Sequence, residues 1–251
     1  MSGKMYLETF DSGPRGWCGY ERHTVMRALE HKKGTVTARS PFMLDSNHAP
    51  PGGGYFQIIA FLMTGLVAQT EAMVEPLAGK NAFLAGGYPN DFTNARITVR
   101  LRGEGDMKGA KLVVLVQRDT EDRNIPALLT AQPMKISERW SEHTVTLSPD
   151  ESLWLMLGAS WNKTHLYKRG PISRALRRVK NIIFVLYPLD VVPLGQVEAR
   201  PELITFANPE MAPKDLEARY ILRAGRDYHL DSSRLPSGCI SFDTVKIEYP
   251  E

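Results

Sequence analysis

The stretch Arg96-Ile97-Thr98-Val99-Arg100-Leu101-Arg102 decides the reading of the fold. Its odd positions are aliphatic and its even positions polar, the period of two by which a β-strand buries one face and leaves the other in water. Outward from it, Lys111 to Gln117 and Asn181 to Tyr187 are unbroken aliphatic and β-branched runs of strand length bounded by turn residues. Such runs predict central strands buried on both faces. Further strands are expected near Met5 to Phe10, Gly34 to Arg39, Tyr55 to Met63, His143 to Leu147, Leu153 to Leu157 and Ile240 to Tyr249. Short strands punctuated by Gly, Pro and Asn predict an all-β, antiparallel β-sandwich or jelly roll rather than a βαβ fold.

One short helix is expected, Ser173 to Val179, following Gly170-Pro171. Ser173 is its candidate N-cap, and Arg174, Arg177 and Arg178 fall on one face. Met43 to Gly54 and Val197 to Ser237 read as long loops. The second is long enough to be an insertion, at 197–237, folded over a single sandwich domain spanning 1–251.

The chain has 251 residues, 43% of them hydrophobic and 24% charged, enough to bury a core without a disulfide or a metal. Its 31 basic and 28 acidic side chains leave a net charge of +3, without the clustered excess of a nucleic-acid binder. Neither a nucleic-acid nor a membrane partner is expected. The longest apolar stretches, Ile58 to Met63 and Ile182 to Tyr187, are much too short to span a bilayer. Met1 to Phe10 lacks the apolar run of a secretory leader, so a cytoplasmic location is expected. In that reducing compartment Cys18 and Cys239 are expected as free thiols.

The two ends of the chain carry a pairing of motifs. Leu7-Glu8-Thr9-Phe10-Asp11-Ser12-Gly13, followed by Gly16-Trp17, resembles the opening of galactose-binding-like jelly rolls, the fold of many carbohydrate-binding modules. Ile240-Ser241-Phe242-Asp243-Thr244-Val245-Lys246-Ile247 is similar to their closing strand. Asp91 to Ala95 leading into the Arg96 strand, and Val179 to Phe184, are similar to internal strands. The resemblance implies a carbohydrate ligand and a structural Ca²⁺ linking the first and last strands, held by Glu8 and Asp243 with help from Asp11. A hard cation of that kind needs six to eight oxygens. Independently, the apolar positions change phase at Asp243-Thr244, which predicts a β-bulge that re-aims Asp243.

No nucleophile elbow, zinc helix, phosphate loop or dinucleotide fingerprint is present, and no organic cofactor is expected. The most unusual segment is Leu44 to Tyr55, which packs Asp45, Asn47 and His48 before Pro50-Pro51-Gly52-Gly53-Gly54. One reading makes His48 a general base oriented by Asp45; the other makes Asp45 and Asn47 caps of their own turn. In the strand that follows, Tyr55 and Gln57 share a mixed face with Ile59 and Phe61, which suits a half-exposed groove. Arg96, Thr98 and Arg100 on the same sheet, flanked by Gln117 and Trp161, would add planar donors and an aromatic platform. Sugars and small carboxylates are bound in this way, though the same pattern also describes a solvated sheet face.

The stretch His165 to Lys180 holds six Lys or Arg and no acid. It reads as a solvated helix face or as a surface for an anionic partner. The expected function is thus a ligand-binding sandwich for a carbohydrate or similar polyhydroxylated small molecule. The alternative is a lyase, isomerase or hydrolase of small metabolites on the same fold using Asp45, His48 and Arg100, and a third reading is an interaction domain using the Arg174 face.

Overall fold

The computed structural model describes residues 4–22, 25–45, 55–65, 68–118, 124–157, 170–190, 193–194, 229–230 and 232–251. Among these, the strands in chain order are β1 Met5–Glu8, β2 Cys18–Arg22, β3 Val25–Ala28, β4 Glu30–His31, β5 Val36–Arg39, β6 Met43–Leu44, β7 Gln57–Met63 and β8 Arg96–Asp106. They continue with β9 Lys111–Arg118, β10 Ile125–Leu128, β11 Ser141–Thr146, β12 Leu155–Met156, β13 Val179–Tyr187, β14 Pro193–Leu194, β15 His229–Leu230 and β16 Ser237–Glu248. The helices are α1 Ala68–Ala78, α2 Ala82–Ala85 and α3 Ile172–Leu176.

The alternating segment is strand β8, and its aliphatic side chains Ile97, Val99 and Leu101 are fully buried. It lies in a six-stranded sheet of order β11-β8-β16-β5-β4, in which β1 also pairs with β16. The second sheet has eight strands, ordered β12-β10-β9-β13-β7-β2-β3, with β6 paired to β7. Strand pairing is antiparallel in both. The sheets pack face to face as an all-β sandwich. Between them runs a column of aromatic rings, Trp17 on Phe184 at 5.4 Å and Phe184 on Phe242 at 5.4 Å.

The two sheets differ on their outward faces. β9 and β13 are buried on both sides, as their unbroken apolar runs predict, and so is β7, for which a half-exposed face was expected. A second apolar cluster, including Phe56, Ile58, Phe61, Val113, Leu115 and Val185, occupies the outward side of the eight-stranded sheet, with Val74 and Ala78 of α1 among its members. The outward side of the six-stranded sheet is polar: Arg96 and Arg100 are exposed, and Thr98 bonds Thr144 as Thr37 bonds Ser241.

Two bulges set which side chains face where. In β16, Phe242 pairs with Leu101 and Thr244 with Arg100, so Asp243 is the extra residue at the predicted slip. In β7, Val185 pairs with Ile58 and Phe184 with Ala60, so Ile59 is extra and both Ile59 and Ala60 turn to the inter-sheet core.

The helices depart from the expected single one. α1 was hidden by Pro76 within it and by a weakly amphipathic pattern. α2 is held by Asn81, whose side chain accepts from the Leu84 N–H at 3.1 Å and donates to the Met63 carbonyl at 3.0 Å. α3 begins earlier than expected, with Pro171 rather than Ser173 at its N-cap and no side-chain cap bond. Cys18 and Cys239 are free thiols, buried on the outward sides of opposite sheets. No helix among the described residues is long and apolar enough to cross a membrane.

Candidate functional site

The open face of the six-stranded sheet gathers two arginines, a tryptophan and a carboxylate. Alternation along β8 sends Arg100 and Arg102 outward side by side, because Val99 and Leu101 go inward. Trp140, just before β11, lies across both, with each guanidinium carbon 5.2 Å from the centre of a Trp140 ring. The bulge presents Asp243 beside them, ion-paired to Arg100. The second oxygen of Asp243 and the Nε of Arg102 are both shielded from solvent without a hydrogen-bond partner. Arg102 also reaches Glu104 at 3.4 Å. An aromatic plane, two planar cations and a carboxylate thus share one polar sheet surface. The set offers stacking, forked donors and an acceptor within one small area.

The other expected site residues are dispersed. Gln57 does not line a half-exposed groove, because β7 is a central strand buried on both faces, and Tyr55, half-buried, precedes that strand. Gln57 is buried on the inter-sheet side, where its amide donates to the Phe42 carbonyl at 3.2 Å. Asp45 is also buried, and its backbone N–H donates to the Phe56 carbonyl at 2.9 Å. Both lie with the eight-stranded sheet, whereas Arg100 points away from it. The structure therefore does not bring Asp45 and Arg100 together. Asn47, His48 and Trp161 lie outside the described residues. Gln117 is on the outward side of the eight-stranded sheet, accepting from the Asn181 amide at 2.8 Å. Arg96 is at the far end of β8, opposite Thr146 and Glu248.

Glu8 and Asp243 are not brought together either. Glu8 turns inward, where it is buried and accepts from the Phe10 N–H at 2.9 Å and the Tyr6 hydroxyl at 3.4 Å, with Arg15 at 3.5 Å. Burial holds its carboxyl above the ordinary range, against the bond from Phe10 and the charge of Arg15. Asp243 turns outward and carries the Arg100 guanidinium, a positive charge where a cation would have to sit. Asp11 instead accepts from the Thr9 hydroxyl at 2.6 Å. The three do not fit a shared calcium, which needs six to eight oxygens around one point. Among the described residues, no group of three or more His, Cys, Asp or Glu is placed to hold a metal.

No protein-family model matches the chain, and no curated protein is significantly similar to it. The site is therefore read from its own chemistry. Trp140 escaped the sequence reading because it stands outside any alternating run, in the turn before β11. Only its tertiary position over Arg100 and Arg102 marks it.

Proposed function

We infer that the chain is a binding sandwich of the galactose-binding-like kind, taking a carbohydrate or similar polyhydroxylated molecule on the open face of its six-stranded sheet. The observation that carries this reading is Trp140 lying across Arg100 and Arg102 beside Asp243. A pyranose has apolar C–H faces that stack on an indole. Its rim of hydroxyls both donates and accepts, matching the exposed guanidinium groups of Arg100 and Arg102 and the Glu104 carboxylate beside them. Asp45 lies with the other sheet, away from Arg100, so the reading placed on this face is one of binding. Strands β8 and β16 hold Arg100, Arg102 and Asp243 more rigidly than loops would, which reduces the entropy lost on binding.

The test is calorimetric titration of the full chain with a panel of neutral oligosaccharides. Wild type binds at least one member, and Trp140→Ala weakens that binding about tenfold or more, equivalent to about 1.4 kcal/mol. Because Trp140 is only half-buried at the surface, its replacement shifts the melting temperature by only a few degrees. No binding across the panel, or equal binding by Trp140→Ala, overturns the reading.

A further inference from the structure

A hollow of about 350 Å³ lies where the turn before β2 meets the junction of α1 and α2, and it shares no lining residue with the Trp140 face. Backbone bonds hold its walls together. The Gly16 N–H donates to the Ala78 carbonyl at 3.0 Å, and the Ala82 N–H donates to the Arg15 carbonyl at 3.1 Å. Gly16 permits this approach because it has no side chain: its φ is +98°, and a Cβ there would stand 2.8 Å from the Asn81 Cα. Two carbonyls at the negative end of α1 are occupied in this way, Ala78 by Gly16 and Glu75 by the Gly79 N–H at 2.9 Å. The shape of the hollow is fixed by the fold itself, which lowers the cost of ordering it around a ligand.

The lining divides into an aliphatic side and a basic rim. Pro14, Leu77, Ala82 and Ala85 supply the first and Arg15 and Lys80 the second, with no carboxylate among the described lining residues. Arg15 has one carboxylate beside it, the buried Glu8, which its Nε meets at 3.5 Å, while its own side chain stays 48% exposed. That single contact leaves the fork of its terminal nitrogens to bond elsewhere. Lys80 is exposed and makes no ion pair or side-chain hydrogen bond among the described residues. The aliphatic side does not stop at the hollow. Only four large hydrophobic side chains among the described residues are exposed, and two of them, Met73 and Leu77, stand one turn apart on α1. Leu77 lines the hollow, and Met73 continues its apolar surface along the helix.

We propose that this hollow binds an aliphatic carboxylic acid as its anion, with the carboxylate held by Arg15 and Lys80 and the hydrocarbon chain lying on Pro14, Ala82 and Leu77 toward Met73. The two parts of the surface select this class together. A forked guanidinium matches the two oxygens of a carboxylate, and the ammonium adds a second charge. The aliphatic strip takes the chain out of water. A sugar would leave that strip uncovered, and a hydrocarbon without a charged head would leave the two cations unused.

The test titrates the full chain with butanoate, hexanoate and octanoate, and with 1-octanol as the uncharged counterpart of the last. Affinity rises about two- to fourfold for each added CH₂, and octanoate binds about tenfold or more tightly than 1-octanol. Octanoate also raises the melting temperature, and its binding weakens as salt is added. Lys80→Gln and Leu77→Ser change exposed side chains and keep the fold. Lys80→Gln weakens octanoate but not 1-octanol, whereas Leu77→Ser weakens both. Arg15→Gln behaves as Lys80→Gln does; should it fail to fold, for want of a partner to Glu8, Lys80→Gln decides in its place. Arg234→Ala, on an exposed arginine paired with Asp190, leaves octanoate binding unchanged. So does Trp140→Ala, which separates this result from the oligosaccharide panel. Octanoate binding no tighter than 1-octanol, or unchanged in Lys80→Gln and Leu77→Ser, overturns the proposal.

Discussion

Glu8 is a carboxylate kept inside the protein by its neighbours. Trp17 donates to the Tyr6 hydroxyl at 3.3 Å, Tyr6 donates to Glu8, and Glu8 also accepts the Phe10 N–H, which ties the first strand to the aromatic core. Its raised pKa means that the folded state holds the proton more tightly than the unfolded chain does. Below the ordinary carboxylate value both states are protonated and this contribution is fully present. As pH rises past that value the unfolded chain ionises first, and the contribution declines until the folded carboxyl has ionised too. Glu8→Gln is therefore expected to gain stability relative to wild type as pH rises through that window, in denaturant melts taken at a series of pH values. A constant difference between the two proteins would refute the titration. Glu8→Ala is expected to lose about 1–3 kcal/mol at every pH, because the Phe10 N–H and Tyr6 hydroxyl lose their acceptor.

Where β8 and β16 begin to pair, Gly105 faces Gly238 with backbone angles φ of +119° and +122°. A Cβ on Gly238 would strike the Glu104 carbonyl oxygen and stand 2.8 Å from the Gly105 Cα, so there is neither conformational freedom nor space for a side chain. Gly238→Ala is expected to cost about 2–4 kcal/mol in thermal or denaturant unfolding, combining left-handed strain with overpacking. A loss under 0.5 kcal/mol would show that the crossing yields easily. Elements of this kind also divide what was legible in the sequence from what was not. β8 was readable because one of its faces is wet and the other dry, and β9 and β13 because burial on both faces leaves an unbroken apolar run. The bulge at Asp243 announced itself through a phase slip between apolar positions. The bulge at Ile59 did not, since every neighbour there is apolar, so Ala60 and Leu62 were assigned to the face opposite Ile59, whose face they share, and the burial of both faces of β7 went unread. The expected site failed for a related reason: alternation reports which side of a strand a residue occupies, but not which sheet the strand joins. That rule put Arg100 on the open face, whereas the placing of Trp140 across it needed the tertiary structure.

At the scale of the whole molecule, the two sheets hold Cys18 and Cys239 apart. Each lies on the outward side of its own sheet, and packed sheets stand about 10 Å from one another. Burial also pushes the Cys18 thiol up to about 11, so little thiolate is present near neutral pH. Native protein is expected to react slowly with a thiol reagent at both positions, and denatured, unreduced protein is expected to yield two thiols; a yield of none would mean they had paired. The six-stranded sheet has a further property that concerns how the chain reaches this state. Its hub is β16, which pairs along its length with β8 and, on its other side, with β5 and then β1. These partners stand early or midway in the sequence, and β16 comes last. During synthesis from the N-terminus, β1, β5 and β8 leave the ribosome with their aliphatic faces made and their shared partner still unmade. The pairings that close this sheet are long-range and come late, which makes folding slow and exposes unfinished strand edges to neighbouring chains in the meantime.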